Sequence, residues 1–184
     1  MNLTNIQMHK GNRAIKIFFL PVLLMLLISC GSGKKSAFTQ INDYQELREA
    51  VYNGEFEIEN QWAYPVSGSM IDLLSNPNYL RMKNDSVDLF LPYFGVRHMG
   101  GDYGGREGGI KYKGVAEDLE IDEANDESKI EITFEAEEGT ENYNFRITLF
   151  PNGNASTHVT SSERNSISYR GIVKGKSTGT EEER

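Results

Sequence analysis

The sequence of 184 residues has a single cysteine and three histidines. One cysteine excludes an internal disulfide framework and a structural zinc site built on cysteines, because both need several sulfur atoms. Only His98 and His158 follow residue 30, and neither belongs to a His-Glu-x-x-His zinc motif or lies near a Gly-x-Ser-x-Gly nucleophile elbow. We therefore expect a protein that is not an enzyme and uses no metal or cofactor. A hydrolase acting through carboxylates stays open only because Asp and Glu are abundant.

Basic residues are too few to balance the acidic ones. The chain has 19 Lys and Arg against 27 Asp and Glu, for a net charge of -8. Nucleic-acid phosphates repel a chain of this sign, so we expect no nucleic-acid partner. The acidic segment 117–138 places Asp122, Glu123, Asp126 and Glu127 around one predicted turn. Their spacing does not match the ligand order of an EF-hand loop, so we prefer a solvated acidic hairpin to a calcium site.

Long hydrophobic runs are also absent, except for the apolar residues 17–28. Three cations and no acid accompany this run within residues 1–30. A positive segment before an apolar stretch too short to span a bilayer comfortably is typical of a secretory signal. The run ends at Leu27-Ile28-Ser29-Cys30, which resembles the bacterial lipobox. We predict that residues 1–30 are a lipoprotein signal peptide ending at Cys30, the lipid-attachment residue; the alternative is an uncleaved signal anchor.

The residues after Cys30 indicate where the domain lies. Gly31, in place of an aspartate, favours the outer membrane, and Lys34-Lys35 differs from the acidic leader associated with surface export. We therefore predict a cell-envelope domain anchored to the outer membrane through acylated Cys30 and facing the periplasm. Residues 31–184 keep 16 Lys and Arg and all 27 acids, a net charge of -11. Membrane contact should then come from the acyl chains rather than from attraction to anionic headgroups.

Residues 31–37 have the small and polar composition of a flexible tether, and they precede one predicted helix. Asp43-Tyr44-Gln45-Glu46 has the arrangement of a capping box, and Gly54 sits where a C-terminal cap belongs. After Gly54 the apolar period changes from 3.6 to 2, which indicates strands. In the first of these, Phe56, Ile58, Trp62 and Tyr64 are predicted to share one face. Further strands are predicted in segments 70–74, 79–83, 87–91, 110–113, 118–122, 130–136, 143–149, 155–161 and 167–173.

These elements predict a single all-β domain over residues 38–174 with one short N-terminal helix, followed by a flexible tail at 175–184. Because each strand has one polar face, the domain needs one enclosed core. We favour an antiparallel β-barrel or half-closed barrel of about ten short strands, since successive hairpins need no long crossovers. A two-sheet β-sandwich is the alternative.

The Gly-rich segment 100–109 and the residues before it are the candidate ligand site. As a flap over a barrel mouth, this connection would present aromatic rings and guanidinium groups to a ligand. The alternative is a long connection whose rings plug one end of the core. The segment lacks Gly-x-Gly-x-x-Gly and precedes a strand, so it does not predict a phosphate site. The candidate ligand-loop residues are Tyr93, Phe94, Arg97, His98, Tyr103 and Arg106.

A three-residue match marks a candidate modification site. Asp85-Ser86-Val87 resembles the Asp-Ser/Thr-aliphatic acceptor used for O-glycosylation of exported proteins in some bacteria. The match falls on a predicted exposed turn between two strands. We treat Ser86 as a candidate glycosylation site.

The strings Leu91-Pro92-Tyr93-Phe94-Gly95 and, later, Arg164 to Gly171 resemble a bacterial lipoprotein domain of unknown function, family number 4251. The resemblance covers roughly residues 38–174 and implies an envelope location and a β-rich fold. It implies no activity, substrate or catalytic residue. We favour a non-enzymatic barrel that binds a small apolar or amphipathic ligand in its interior. The alternative is a protein-interaction module, either an envelope-assembly accessory or a hydrolase inhibitor, that an acidic surface steers toward its partner.

Overall fold

A computed structural model of the protein describes residues 38–98 and 109–176. In these residues the chain forms eleven strands and one helix, α1 (Tyr44–Tyr52). The strands are β1 (Phe38–Gln40), β2 (Glu55–Pro65), β3 (Ile71–Asp72), β4 (Tyr79–Lys83), β5 (Ser86–Pro92), β6 (Gly109–Val115), β7 (Glu117–Glu123), β8 (Ile130–Glu138), β9 (Glu141–Leu149), β10 (Asn154–Ser161) and β11 (Ile167–Lys176).

Nine of the strands form an antiparallel sheet in the order β6-β5-β4-β2-β11-β10-β9-β8-β7, which curls into a nearly closed barrel. The short strands β1 and β3 pair with β11 and β2. The edge strands β6 and β7 are joined through Ala116 alone, and β6 also contacts β8, so the two edges of the sheet meet. The predicted mostly β domain with one short helix is confirmed, and the barrel rather than the sandwich is the form that it takes.

The helix begins where its capping residue predicts. The Asp43 carboxylate accepts hydrogen bonds from the backbone N–H groups of Gln45 and Glu46, at 2.9 and 3.3 Å. These bonds satisfy donors that have no partner within the first turn. On its inner face α1 buries Tyr44, Leu47 and Val51, and so it covers one end of the barrel.

The inward positions of the strands carry the apolar side chains. On β8, for example, Ile132 and Phe134 are at most 1% exposed, while the intervening Thr133 faces outward. Phe134 stacks on Phe145 of β9, with ring centroids 4.6 Å apart. The interior is thus occupied by side chains from all the long strands, and their burial is the main stabilising term of the fold.

Strand β2 changes face part-way along its length. Phe56 and Ile58 are buried as predicted, but Trp62 and Tyr64 lie outward and Ala63 is buried instead. The pairing of β2 with β11 shifts register at this point. The prediction that all four large residues share one face is therefore wrong for Trp62 and Tyr64, because an irregularity of this kind inverts the alternation beyond it.

Some boundaries differ from those predicted. The predicted strand at 70–74 is reduced to β3, while Leu73 is buried beyond its end. Strand β11 continues to Lys176, past residue 174, because its last residues pair with β1, an element that the periodicity did not indicate. In the described part of the chain, no helix has the length and apolar character needed to cross a membrane.

Candidate functional site

The turns of the barrel gather at two ends. Around α1 lie the turns at residues 53–54, 84–85, 124–129 and 150–153, and we call this the helix end. At the opposite end, residues 92–98 contact residues 161–166 and the β8–β9 turn, and we call this the cap end. The cap end contains the described members of the predicted ligand loop.

Residues 93–98 are bound to the chain just before β11. Arg97 and Arg164 form an antiparallel bridge. The backbone N–H of His98 donates to the Glu163 carbonyl at 2.7 Å, and the N–H of Asn165 donates to the carbonyl of Val96 at 3.1 Å. The segment is therefore held by main-chain hydrogen bonds, as a strand would be, although it forms no strand of its own.

Side chains reinforce this contact. The Tyr93 hydroxyl lies 3.0 Å from the carbonyl oxygens of both Val96 and Asn165. His98 Nε2 lies 2.5 Å from Asn165 Oδ1. Phe94 is half-buried against the core. These contacts favour the interpretation in which the predicted ligand-loop aromatics close one end of the core.

Two arginines and two glutamates form an ion network beneath the segment. Arg164 binds both oxygens of Glu141, with Nε–Oε1 at 2.7 Å and Nη2–Oε2 at 3.0 Å. Arg97 Nη2 lies 2.6 Å from Glu163 Oε2 and 3.3 Å from Glu141 Oε2. The exposed fractions of the Glu141 and Arg164 side chains are only 3% and 10%. We call Arg97, Glu141, Glu163 and Arg164 the cap cluster.

Hydroxyl groups complete the cap cluster. Ser161 donates to Glu141 and accepts a hydrogen bond from the backbone N–H of Glu163. Thr140 donates to Glu163 Oε1 at 2.8 Å. Burial alone would raise the pKa of Glu141, but the hydrogen bonds from Arg164 and Ser161 outweigh it, so the pKa is lowered. Hydrogen bonds from Arg97 and Thr140 likewise lower the pKa of Glu163. Both carboxylates are thus held ionised, as acceptors rather than as general acids.

The predicted site residues are only partly brought together. Tyr93, Arg97 and His98 meet at the cap end, whereas Cys30, Tyr103 and Arg106 lie outside the described residues. Sequence reasoning missed Glu141 and Glu163. Glu141 could have been found, because it continues the inward alternation of Tyr143 to Leu149 on β9. For Glu163, which lies between two strands, no periodic signal exists.

Other candidates from the sequence are exposed. Ser86 begins β5 at the surface, with its hydroxyl 3.4 Å from Asp85 Oδ1. His158 is exposed on β10, as its polar position in the alternation of that strand predicts. Its Nδ1 lies 2.9 Å from the Ser168 hydroxyl.

Glu123 of the acidic hairpin binds α1. Its carboxylate accepts hydrogen bonds from the Tyr44 and Tyr52 hydroxyls, at 2.5 and 3.1 Å, and from Arg48 Nε at 3.0 Å. Burial and the hydrogen bond to Glu123 raise the pKa of Tyr44 to about 12. Within residues 38–98 and 109–176, no three His, Cys, Asp or Glu side chains are grouped so that they could hold a metal ion.

A groove lies outside the barrel, along β4, β5 and β6. It has a volume of about 590 Å³, and it is lined by two carboxylates, two lysines and several apolar or aromatic side chains: Asp88, Glu138, Lys111, Lys113, Tyr79, Leu89, Phe90 and Tyr112. A neighbouring groove of about 440 Å³ shares Asp88 and Lys113 and adds Arg81 and Lys83. We call the two together the outer groove.

The fold and the site together define a class of protein: a nearly closed antiparallel β-barrel with a helix over one end, an ion network at the other, and an open groove outside. The family model of a domain of unknown function, DUF4251, matches residues 39–173, and the chain belongs to this family. The resemblance seen in the sequence is thereby confirmed.

A solved structure has the same fold. The crystal structure of a DUF4251 family protein from Bacteroides eggerthii, at 1.95 Å resolution, aligns with a TM-score of 0.56 and 17% sequence identity. The alignment covers 72% of this chain and 87% of that chain. At this identity the likeness shows the fold alone. No curated protein matches the chain.

Proposed function

We propose that the chain is a non-enzymatic lipoprotein of the cell envelope, anchored to the outer membrane through acylated Cys30 and facing the periplasm, whose barrel binds its ligand on the outer surface. The observation that carries the binding proposal is the outer groove, an open concave surface with two half-buried rings and several charged side chains. Concave surfaces that combine apolar walls with a few polar groups are the usual form of ligand sites.

A ligand in the barrel interior is less well supported than one outside. The inward side chains are buried against one another, and α1 and the cap cluster lie over the two ends. A small apolar ligand would have to displace packed side chains, which costs free energy because protein cores are close-packed. An amphipathic ligand outside the barrel needs no such rearrangement.

The charge state of the cap cluster supports a binding role rather than catalysis. The two carboxylates of the cap cluster are paired with arginines, and the lowered pKa of each makes it a weak proton acceptor.

A second candidate function, a protein-interaction module, is favoured by segment 117–138. This segment carries eleven acidic residues and one basic residue. Such a charge density would steer the domain toward a basic partner.

The anchor is tested by intact mass spectrometry of the protein purified from membranes. We expect a mass that corresponds to residues 30–184 with acyl chains on Cys30, and a Cys30→Ser variant that lacks the acyl mass and keeps residues 1–29. An unaltered chain that retains residues 1–29 would contradict the lipoprotein proposal. Glycosylation of Ser86 would appear in the same spectrum as a further mass that a Ser86→Ala variant lacks.

The binding surface is tested by photo-crosslinking in intact cells. Phe90 in the outer groove is replaced by p-benzoylphenylalanine, and the matched control places the same residue at Arg146, which is exposed on β9 at a distant point in the strand order. We expect a discrete adduct only at position 90, and its mass distinguishes a small molecule from a protein. Equal labelling at both positions, or none at position 90, would contradict binding in the outer groove.

A further inference from the structure

The two parts of the outer groove differ in chemistry. Tyr79 and Phe90 lie side by side on β4 and β5 as a cross-strand pair, and they form the apolar part. Arg81 and Lys83 of β4 and Lys113 of β6 lie in the following rows of the sheet. Asp88 and Lys113 line both parts, so the groove is continuous. A ligand that spans it would meet rings first and then cations.

The rings are held in position. The Tyr79 hydroxyl donates to Asp88 Oδ1 at 3.1 Å, and the Arg81 guanidinium lies 4.2 Å from the centre of its ring. The Phe90 ring lies so close to Gly109 that a Cβ atom there would fall 2.4 Å from the ring. Rings fixed in this way offer flat apolar surface at little further cost in conformational entropy. The C–H face of a sugar ring fits such a surface.

The cations indicate an acidic group on the ligand. Arg81 is paired with Glu57 at 2.5 Å but stays 48% exposed, and Lys113 is paired with Asp88, so Lys83 is the cation in excess in the second part of the groove. The Lys113 side chain is 82% exposed, so its ammonium can still reach a ligand despite its pairing with Asp88 at 2.9 Å. Residues 31–184 as a whole carry a net charge of -11 and repel polyanions. A polyanion bound here would have to be held by local contacts rather than by general attraction.

The backbone argues against a peptide. Strand β5 pairs with β4 on one side and with β6 on the other, and β4 pairs with β2 and β5. Main-chain hydrogen bonding, by which extended peptides usually add to a sheet, is therefore already satisfied beneath Tyr79 and Phe90, although β6, which also lines the groove, is an edge strand of the sheet. A saccharide supplies its own hydroxyls and ring faces and depends only on side chains.

From these observations we propose that the outer groove binds an acidic saccharide chain, with a sugar ring over Tyr79 and Phe90 and a carboxylate near Arg81, Lys83 and Lys113. The inference rests on the proposed function, because it names the ligand class of the same groove.

The test is calorimetric titration of the full lipoprotein in nanodiscs with an oligogalacturonate as the acidic probe. The fully methyl-esterified oligomer has the same backbone without charge, and oligoglutamate has the charge without sugar rings. We expect the oligogalacturonate to bind, and both other probes to bind at least about tenfold more weakly, because each lacks one of the two required contacts.

Variants locate the binding. Lys83→Gln and Phe90→Leu should each weaken binding of the oligogalacturonate by about fivefold or more, since one removes a charge and the other a ring. Arg146→Gln, exposed on β9, is the matched control and should bind as the unaltered protein does. Circular dichroism and melting temperature show whether each variant is folded.

Each other outcome overturns the inference. Equal binding of the methyl ester would show that charge is not recognised, and equal binding of oligoglutamate would identify an acidic peptide as the occupant. If no saccharide binds while p-benzoylphenylalanine at position 90 still gives its specific adduct in cells, the saccharide proposal is wrong but binding in the outer groove stands. If that adduct is also absent, the proposed function fails with it.

Discussion

Arg164 donates two parallel hydrogen bonds to Glu141, from Nε to Oε1 at 2.7 Å and from Nη2 to Oε2 at 3.0 Å. Both side chains are almost fully buried. A fork-to-fork pair of this kind has both strength and a fixed geometry. The pair connects the start of β9 to the chain before β11. Arg164 Nη1 also donates to the Gly109 carbonyl at 3.3 Å. The pair thus joins three distant segments at the cap end.

Removing one partner of this pair should be costly. For Arg164→Ala we expect a loss of about 3 kcal/mol in the free energy of unfolding, because Glu141 stays buried without its main counter-charge. Lys113→Ala, which breaks the exposed pair with Asp88, should cost less than about 1 kcal/mol. Urea denaturation measures both. A loss below about 1 kcal/mol for Arg164→Ala would contradict a stabilising role for the pair.

The cap cluster should also make stability depend on acid. The pKa values of Glu141 and Glu163 are lowered in the folded protein, so the unfolded chain binds more protons as the pH falls below the ordinary glutamate value. Their contribution to the free energy of unfolding is complete above the pKa that a glutamate has in the unfolded chain. It is lost as the pH falls through the lower pKa of the folded protein. We expect urea midpoints to fall below about pH 4.3.

A pair of variants assigns this acid dependence. Glu141→Gln should be less stable at pH 7 and should lose less of its stability on acidification than the unaltered protein. Glu137→Gln, exposed on β8, should keep the original dependence. If Glu141→Gln lost as much stability on acidification as the unaltered protein, other carboxylates would be the cause of the pH dependence.

Two glycines with nearly the same backbone angle should respond differently to substitution. Gly139 and Gly153 have φ of 67° and 74°. A Cβ at Gly139 would meet no atom within 4 Å, whereas a Cβ at Gly153 would lie 1.7 Å from the Ile41 carbonyl oxygen. Gly139→Ala should therefore cost only the left-handed strain, about 1 kcal/mol. Gly153→Ala should cost at least about 2 kcal/mol more, because backbone must move.

Melting temperatures of the two glycine variants provide the measurement. Gly139→Ala serves as the control for backbone strain alone. Equal melting temperatures would show that the β9–β10 turn can move away from Ile41 without loss.

Much of the fold could be predicted because its signals are local. The alternation of Ile130 to Ala136 and of Tyr143 to Leu149 indicates two strands with one buried face, and both form as predicted. The cap residue Asp43 marks the start of α1. These patterns depend on neighbours in sequence, so they are readable without knowledge of the fold.

The rest depends on contacts between distant residues. The change of face at Ala63 follows from the register shift between β2 and β11, which no single strand encodes. Glu163 contributes to the cap cluster only because residues 93–98 cross the barrel end to meet it. The outer groove likewise combines Tyr79, Phe90 and Lys113 from three strands that are adjacent only after pairing.

A buried hydroxyl offers a test of the interior. Thr157 faces inward on β10 with no exposed surface, and its Oγ1 has no hydrogen-bond partner among the described residues. An unsatisfied buried donor is costly, so its isosteric replacement by a methyl group should be favourable. We expect Thr157→Val to raise the free energy of unfolding by about 1 kcal/mol in urea denaturation. Thr133→Val, on the outward face of β8, should change it by less than about 0.5 kcal/mol. A loss of stability in Thr157→Val would instead indicate that a polar group inside the barrel binds this hydroxyl, and it would revive the interior as a site for a small polar molecule.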